Sequence, residues 1–181
     1  MVQNKKANIS VLLNYWGLAV LEQGNYPDAQ KYFEEAILIS RELGNQPNLG
    51  GALANLGEVL LNQGYYARAH ASLTESLQLL HEVNNVLAIT QVLETFACLM
   101  HKVNQPQRAA VFFGAADASR GILDAPRTLH ECSDYDSILA EINSALGTKR
   151  SEYELAIGRS MTLAQAVSMA LQIPSIDNDT L

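Results

Sequence analysis

Apolar positions set the first expectation. Leu13, Trp16, Gly17 and Val20 recur at three- and four-residue steps, the spacing that puts side chains on one face of a helix. Gln23–Gly24–Asn25 then interrupts the pattern, with Gly24 where a helix ends at little cost in a positive φ. A second helix is predicted from about Tyr26 to Glu42, with Ala29, Phe33, Ala36 and Ile37 inward and a stop at Leu43–Gly44.

The same layout returns after forty residues and again after forty more. Tyr15–Ile39, Asn55–Leu79 and Thr95–Ser119 align without a gap. Gly17, Gly57 and Ala97 coincide, as do Gly24, Gly64 and Asn104, then Tyr26, Tyr66 and Pro106. Ala29, Ala69 and Ala109 follow, and then Phe33, Leu73 and Phe113. Self-similarity of this kind marks stacked helix pairs, because each unit buries its apolar face on its neighbour. The expected packing positions are Trp16, Gly17, Ala29, Phe33, Leu56, Gly57, Ala69, Leu73, Ala97, Ala109 and Phe113. A mid-helix glycine costs roughly 0.5–1 kcal/mol against alanine. Its recurrence at one repeat position therefore predicts a close helix crossing. Asn104 stands in for the turn glycine as a residue tolerant of left-handed geometry, and Pro106 suits a first helical turn.

Four segments follow from the pattern: a polar lead over 1–8, three helix pairs over 9–120, a helical extension over 121–173 and a tail over 174–181. In the extension, Gly121, Pro126, Arg127 and Thr128 break the periodicity. A helix capped by Ser133 or Asp134 is predicted to run to Leu146, with Tyr135, Ile138, Leu139, Ile142 and Leu146 as its stripe. Another should span Ser151–Ser160 with Tyr153, Ala156 and Ile157 inward. A third follows a capping box at Thr162 and Gln165, with Leu163, Ala166, Val167, Ala170 and Leu171 on its apolar face. Such helices would cap the open face of the third pair.

Composition narrows the function. Of the 181 residues, 48% are apolar and 7% aromatic, with a net charge of −7. A duplex nucleic-acid binder needs a basic footprint, which is missing, so no direct nucleic-acid partner is expected. Cys98 and Cys132 form no metal or redox motif and read as reduced thiols. No apolar run approaches a membrane span, no signal peptide opens the chain, and a cytoplasmic protein is expected. Phosphate-binding loop, zinc-protease and nucleophile-elbow patterns are missing. His70, His81, His101 and His130 are scattered. Glu34–Glu35 and Asp134/Asp136 read as solvated or helix-start charges, and Cys98–His101 lacks an orienting third group and an oxyanion donor. No catalytic residue, cofactor or metal is expected.

The repeat resembles the tetratricopeptide family: Gly17, Gly24, Tyr26, Ala29, Phe33 and Ala36 match its positions in the first copy. Trp16 stands where Leu is usual, and the unit is forty residues where about thirty-four is usual. The resemblance implies an all-α fold, a right-handed superhelical α-solenoid of antiparallel helix pairs with a helical C-terminal cap. It also implies a concave surface lined by the first helices. Helical spacing then selects Asn14, Leu18 and Leu21, next Ala54, Glu58 and Leu61, then Glu94, Cys98 and His101. A carboxylate clamp is not expected, since Leu18, Glu58 and Cys98 replace its asparagines. An apolar or mildly basic protein or peptide segment is the expected partner, with self-association as another use of this face. Arg108–Pro126, Tyr135 and Gly158–Leu171 resemble the C-terminal segment of bacterial signal-transduction ATPases and LuxR-type transcription regulators. That implies a protein-interaction or sensor domain of a regulator; a free-standing adaptor or chaperone-like peptide binder is the alternative.

Overall fold

The computed structural model describes residues 2–127 and 129–176, and the regular elements among them are all α-helices. They are α1 (Val2–Leu21), α2 (Tyr26–Leu43), α3 (Gln46–Asn62), α4 (Tyr66–Glu82), α5 (Val86–Lys102), α6 (Pro106–Leu123), α7 (Leu129–Leu146), α8 (Thr148–Ser160) and α9 (Leu163–Leu171). The all-α expectation holds. Thr128, the side chains of His130, Cys132, Ser133 and Asp134, and the tail beyond Ile176 lie outside the described residues.

Forty-residue spacing is written into the backbone as well as the side chains. Gly24, Gly64 and Asn104 take φ of 74°, 82° and 57°. Twenty residues after each of them, Gly44, Asn84 and Asp124 take 66°, 52° and 50°, a second series of left-handed closures. Around Gly64 the amide donates to Leu61 O at 3.0 Å and the Tyr65 amide reaches back to Leu60 O at 2.8 Å. Asn104 and Gln105 repeat this on His101 and Met100. Carbonyls that a helix end leaves orphaned are satisfied in this way. Starts are equally local: the Asn25 and Asn45 side chains accept from the amides of Asp28 and Asn48, and Pro106 is the first residue of α6.

The chain divides into two compact units, consisting mainly of Met1–Asn85 and Val86–Pro174. In the first, α1 packs on α2, α3 on α4, and α3 also on α2. A Cβ added at Gly17 would lie 2.5 Å from Phe33 Cε1, and one at Gly57 would lie 2.6 Å from Leu73 Cδ2. These are the close crossings that the recurrent glycine implied. Ala29, Phe33, Ala69 and Leu73 are fully buried there. Where the second pair meets the first, the Asn48 amide donates to Ser40 Oγ at 2.7 Å and to Ser10 Oγ at 3.2 Å, while Ala52 joins a core with Leu13 and Ala36.

In the second unit α5 pairs with α6, burying Ala97, Ala109 and Phe113. α8 lies along α6, and α9 touches both α5 and α6. The α6–α8 crossing brings backbone to backbone. A Cβ on Gly114 would fall 2.1 Å from Leu155 O, and one on Gly158 would fall 2.0 Å from Val111 O. The Thr162–Gln165 capping box forms at the start of α9, whose Ala166, Val167 and Ala170 are buried.

The polar lead is helical from Val2, and Lys6 in it pairs with Glu42 at 2.7 Å. Three readings change. Trp16 is 56% exposed and meets Tyr32 edge-on, whereas its counterpart Leu56 is 7% exposed; α3 has the first pair to pack on. α7 begins at Leu129, so neither Ser133 nor Asp134 is its cap. In α8 the buried face is Ser151, Glu154, Leu155 and Gly158, while Tyr153, Ala156 and Ile157 face outward. Contact with α6 selects the face that carries the glycine, because only that side permits backbone approach.

Candidate interaction surface

In the first unit Asn14, Leu18 and Leu21 on α1, with Ala54 and Glu58 on α3, are half-buried. The Asn14 carboxamide oxygen accepts from Asn55 Nδ2 at 2.9 Å, tying the two first helices together. Leu61 departs from this set: at 8% exposure it is core. The helix that carries it buries nine of its 17 residues, more of its circumference than a single apolar stripe accounts for.

On α5 the corresponding positions are already engaged within the second unit. Glu94 receives Arg120 Nε at 2.8 Å and Nη2 at 2.7 Å, a bidentate pair, and Arg127 Nη2 lies 2.6 Å from the same carboxylate. Its charge, expected to flank a groove, is therefore compensated inside the fold. His101 Nε2 lies 2.8 Å from Glu141 of α7, and Cys98 is half-buried.

The pair at Glu94 belongs to a larger junction. Arg120 Nη1 also donates to the carbonyls of Ala125 and Pro126, at 3.1 and 3.3 Å. Asp117 accepts from Arg127 at 2.8 Å, from the Tyr135 hydroxyl at 2.9 Å and from Arg159 at 3.3 Å. The Arg127 guanidinium sits 3.9 Å from the Tyr135 ring centroid, and Phe113 meets that ring edge-on at 4.9 Å. Burial first, then the Asp117 carboxylate, pushes the Tyr135 phenol well above its ordinary range. For Arg127, burial acts downward, but Glu94 and Asp117 outweigh it and raise the pKa further. This arrangement locks the link after α6 between α5, α6 and α7. Buried charges paired on all sides specify geometry more than they add stability.

Nothing in the sequence reading anticipated the junction, yet the register contained a signal. Arg120 occupies the place of Ser40 and Leu80, both fully buried. An arginine at a buried register position demands a carboxylate partner, and Glu94, twenty-six residues earlier, supplies it. An open depression lined by Asp117, Arg120, Asp124 and Arg127 overlies these groups. Among the described residues no group of three or more His, Cys, Asp or Glu is placed to hold a metal ion, and no helix is long and apolar enough to cross a membrane.

Residues 8–82 match the family model described as tetratricopeptide repeat. No curated protein and no solved structure gave a significant match.

Proposed function

With residues 8–82 being tetratricopeptide repeats, a family of protein–protein interaction modules, we propose that the chain is a non-catalytic recognition scaffold that binds through α1 and α3. The observation carrying this reading is the half-buried set Asn14, Leu18, Leu21, Ala54 and Glu58 on two helices tied together by the Asn14–Asn55 bond. Three apolar side chains on these two helices suit an apolar helical segment laid across them. Glu94, Cys98 and His101 are left out, because Glu94 and His101 are engaged with Arg120, Arg127 and Glu141.

The setting we propose is cytoplasmic, within a bacterial signalling or transcription regulator. Its support is the convergence of the residues that carry that resemblance. Arg120, Pro126 and Tyr135 meet in the charged junction, and Gly114 and Gly158 form the α6–α8 crossing. On this reading the motif is scaffold, and ligand choice is left to the repeats.

A photo-crosslinker at Leu18 should capture the partner from source cells, whereas one at Lys31 on α2 should not. Leu18→Asp and Glu58→Lys should each weaken capture while the helical spectrum is kept. Crosslinks concentrated at Lys31, Glu35 and Ser72 would overturn the assignment.

A further inference from the structure

The large apolar side chains that this protein leaves in water are concentrated on one helix. Ile9, Leu12, Tyr15 and Trp16 of α1 are 46%, 50%, 65% and 56% exposed, within about two helical turns. Trp16 is the chain's one tryptophan. The other exposed large apolar residues are spread over α2, the turn before α4, α5, α6 and α8. A contiguous exposed apolar patch marks an interaction site, and tryptophan and tyrosine are residues on which binding energy concentrates.

Spacing on this face is that of a helix–helix seam. Lys5, Ile9, Leu12, Trp16 and Ala19 follow one another at alternating steps of four and three residues, and all five are exposed. Asn8, Tyr15 and Glu22 run alongside at seven-residue intervals and are exposed too. The Glu22 amide donates to Leu18 O at 2.9 Å, so the helical course carries to that residue. Lys5 and Glu22 put opposite charges at the two ends, and neither is ion-paired with another described residue. Between them the seam is apolar. The recognition positions Asn14, Leu18 and Leu21 fall outside it.

We propose that this face of α1 is a self-association surface, and that its occupant is α1 of a second copy lying antiparallel across a two-fold axis. Charge decides the direction. A parallel pairing sets Lys5 on the partner's Lys5 and Trp16 on the partner's Trp16, which places like charges together and the two bulkiest side chains at one level. Turned antiparallel, Lys5 comes beside the partner's Glu22 at one end, and symmetry repeats the pair at the other. Size agrees with the same register. Leu12 meets the partner's Trp16 and Ile9 meets the partner's Ala19, so each apolar layer sets a larger side chain against a smaller one. From Lys5 to Glu22 the seam is about 26 Å long at the helical rise. One helix on one helix is at the small end of specific interfaces, so the dimer dissociates in the micromolar range.

The test is sedimentation and Trp16 fluorescence on the purified full chain over one dilution series. From low-micromolar to submillimolar concentration, mass should rise from monomer to dimer. Acrylamide quenching of Trp16 should fall severalfold over the same range, with a blue shift of its emission. Leu12→Asp, at an exposed position, should hold the chain monomeric with its helical spectrum kept. Lys5→Glu and Glu22→Lys should each weaken the dimer several-fold, and the two together should restore it, because the double reversal rebuilds both pairs. A chain that stays monomeric throughout overturns the proposal. So does a dimer indifferent to Leu12→Asp, whose contact then lies on another surface, and so does Trp16 protection that ignores chain concentration. A double reversal no tighter than either single change refutes the antiparallel register.

Discussion

Close helix crossings in this protein are set by single residues that differ in what they face. Gly57 opposes the tip of Leu73, a side chain that can move, whereas Gly158 opposes the carbonyl of Val111. Gly57→Leu should therefore cost about 1–3 kcal/mol through overpacking, while Gly57→Ala should cost much less. Urea unfolding curves of the two variants would decide this; equal midpoints for Gly57→Leu and the parent would contradict the crossing. His70 on α4 offers a different kind of test. It is buried, and burial holds its imidazole below the ordinary 6.5. The unfolded chain then binds the proton more tightly than the folded one. Stability from this group is fully present above about pH 6.5 and declines as pH falls toward the lowered folded value. His70→Gln should flatten that decline. Melting temperatures measured across the acid range check it, and an unchanged slope would assign the decline to other groups.

At the level of elements, the pairing of α6 with α8 differs in kind from the repeat pairs. The first two repeat pairs cross through one glycine against a side chain, but α6 and α8 approach through glycines on both helices. The close approach explains why α8 turns Tyr153 and Ile157 to solvent and buries Ser151 and Gly158. Gly158→Ala should then separate the helices and cost about 3 kcal/mol or more, the upper end of overpacking. Gly147→Ala supplies the control, since a Cβ there meets no atom and only the positive φ of 79° is strained. Thermal unfolding of both variants would check the order; Gly147→Ala as the more damaging change would refute it.

For the whole molecule, the extension beyond Arg120 does two things for the second unit. It covers α6 at Gly114, and it supplies Arg127 and the Ala125 and Pro126 carbonyls to the Glu94–Arg120 pair. Removing it leaves two buried charges with fewer partners and an uncovered apolar helix. A chain ending at Arg120 should melt at lower temperature and self-associate, as repeat arrays do without a terminal cap. Sedimentation and a thermal scan measure both. A monomer with an undiminished cooperative melt would make the extension an appendage.

Local chemistry and the forty-residue shift made much of this legible. Gly24, Gly44, Gly64 and Asn104 were readable as left-handed stops, Pro106 as a first-turn residue, Thr162 with Gln165 as a capping box, and Gly17 and Gly57 as crossing points. Each depends on backbone conformation or on a neighbour a few residues away, and such determinants are carried by short stretches of sequence. The left-handed Asn84 and Asp124 lie in the same register and are of residue types that tolerate positive φ, so the shift could have flagged them as it flagged Asn104. Tertiary structure decided what depends on a remote partner. Trp16 has the sequence of a packing residue and the exposure of a surface one, because burial needs an opposing helix as well as an apolar side chain. The face of α8 was chosen by α6, and the role of Glu94 by Arg120 and Arg127. Periodicity states which residues can be buried; only the packed neighbour determines which of them are.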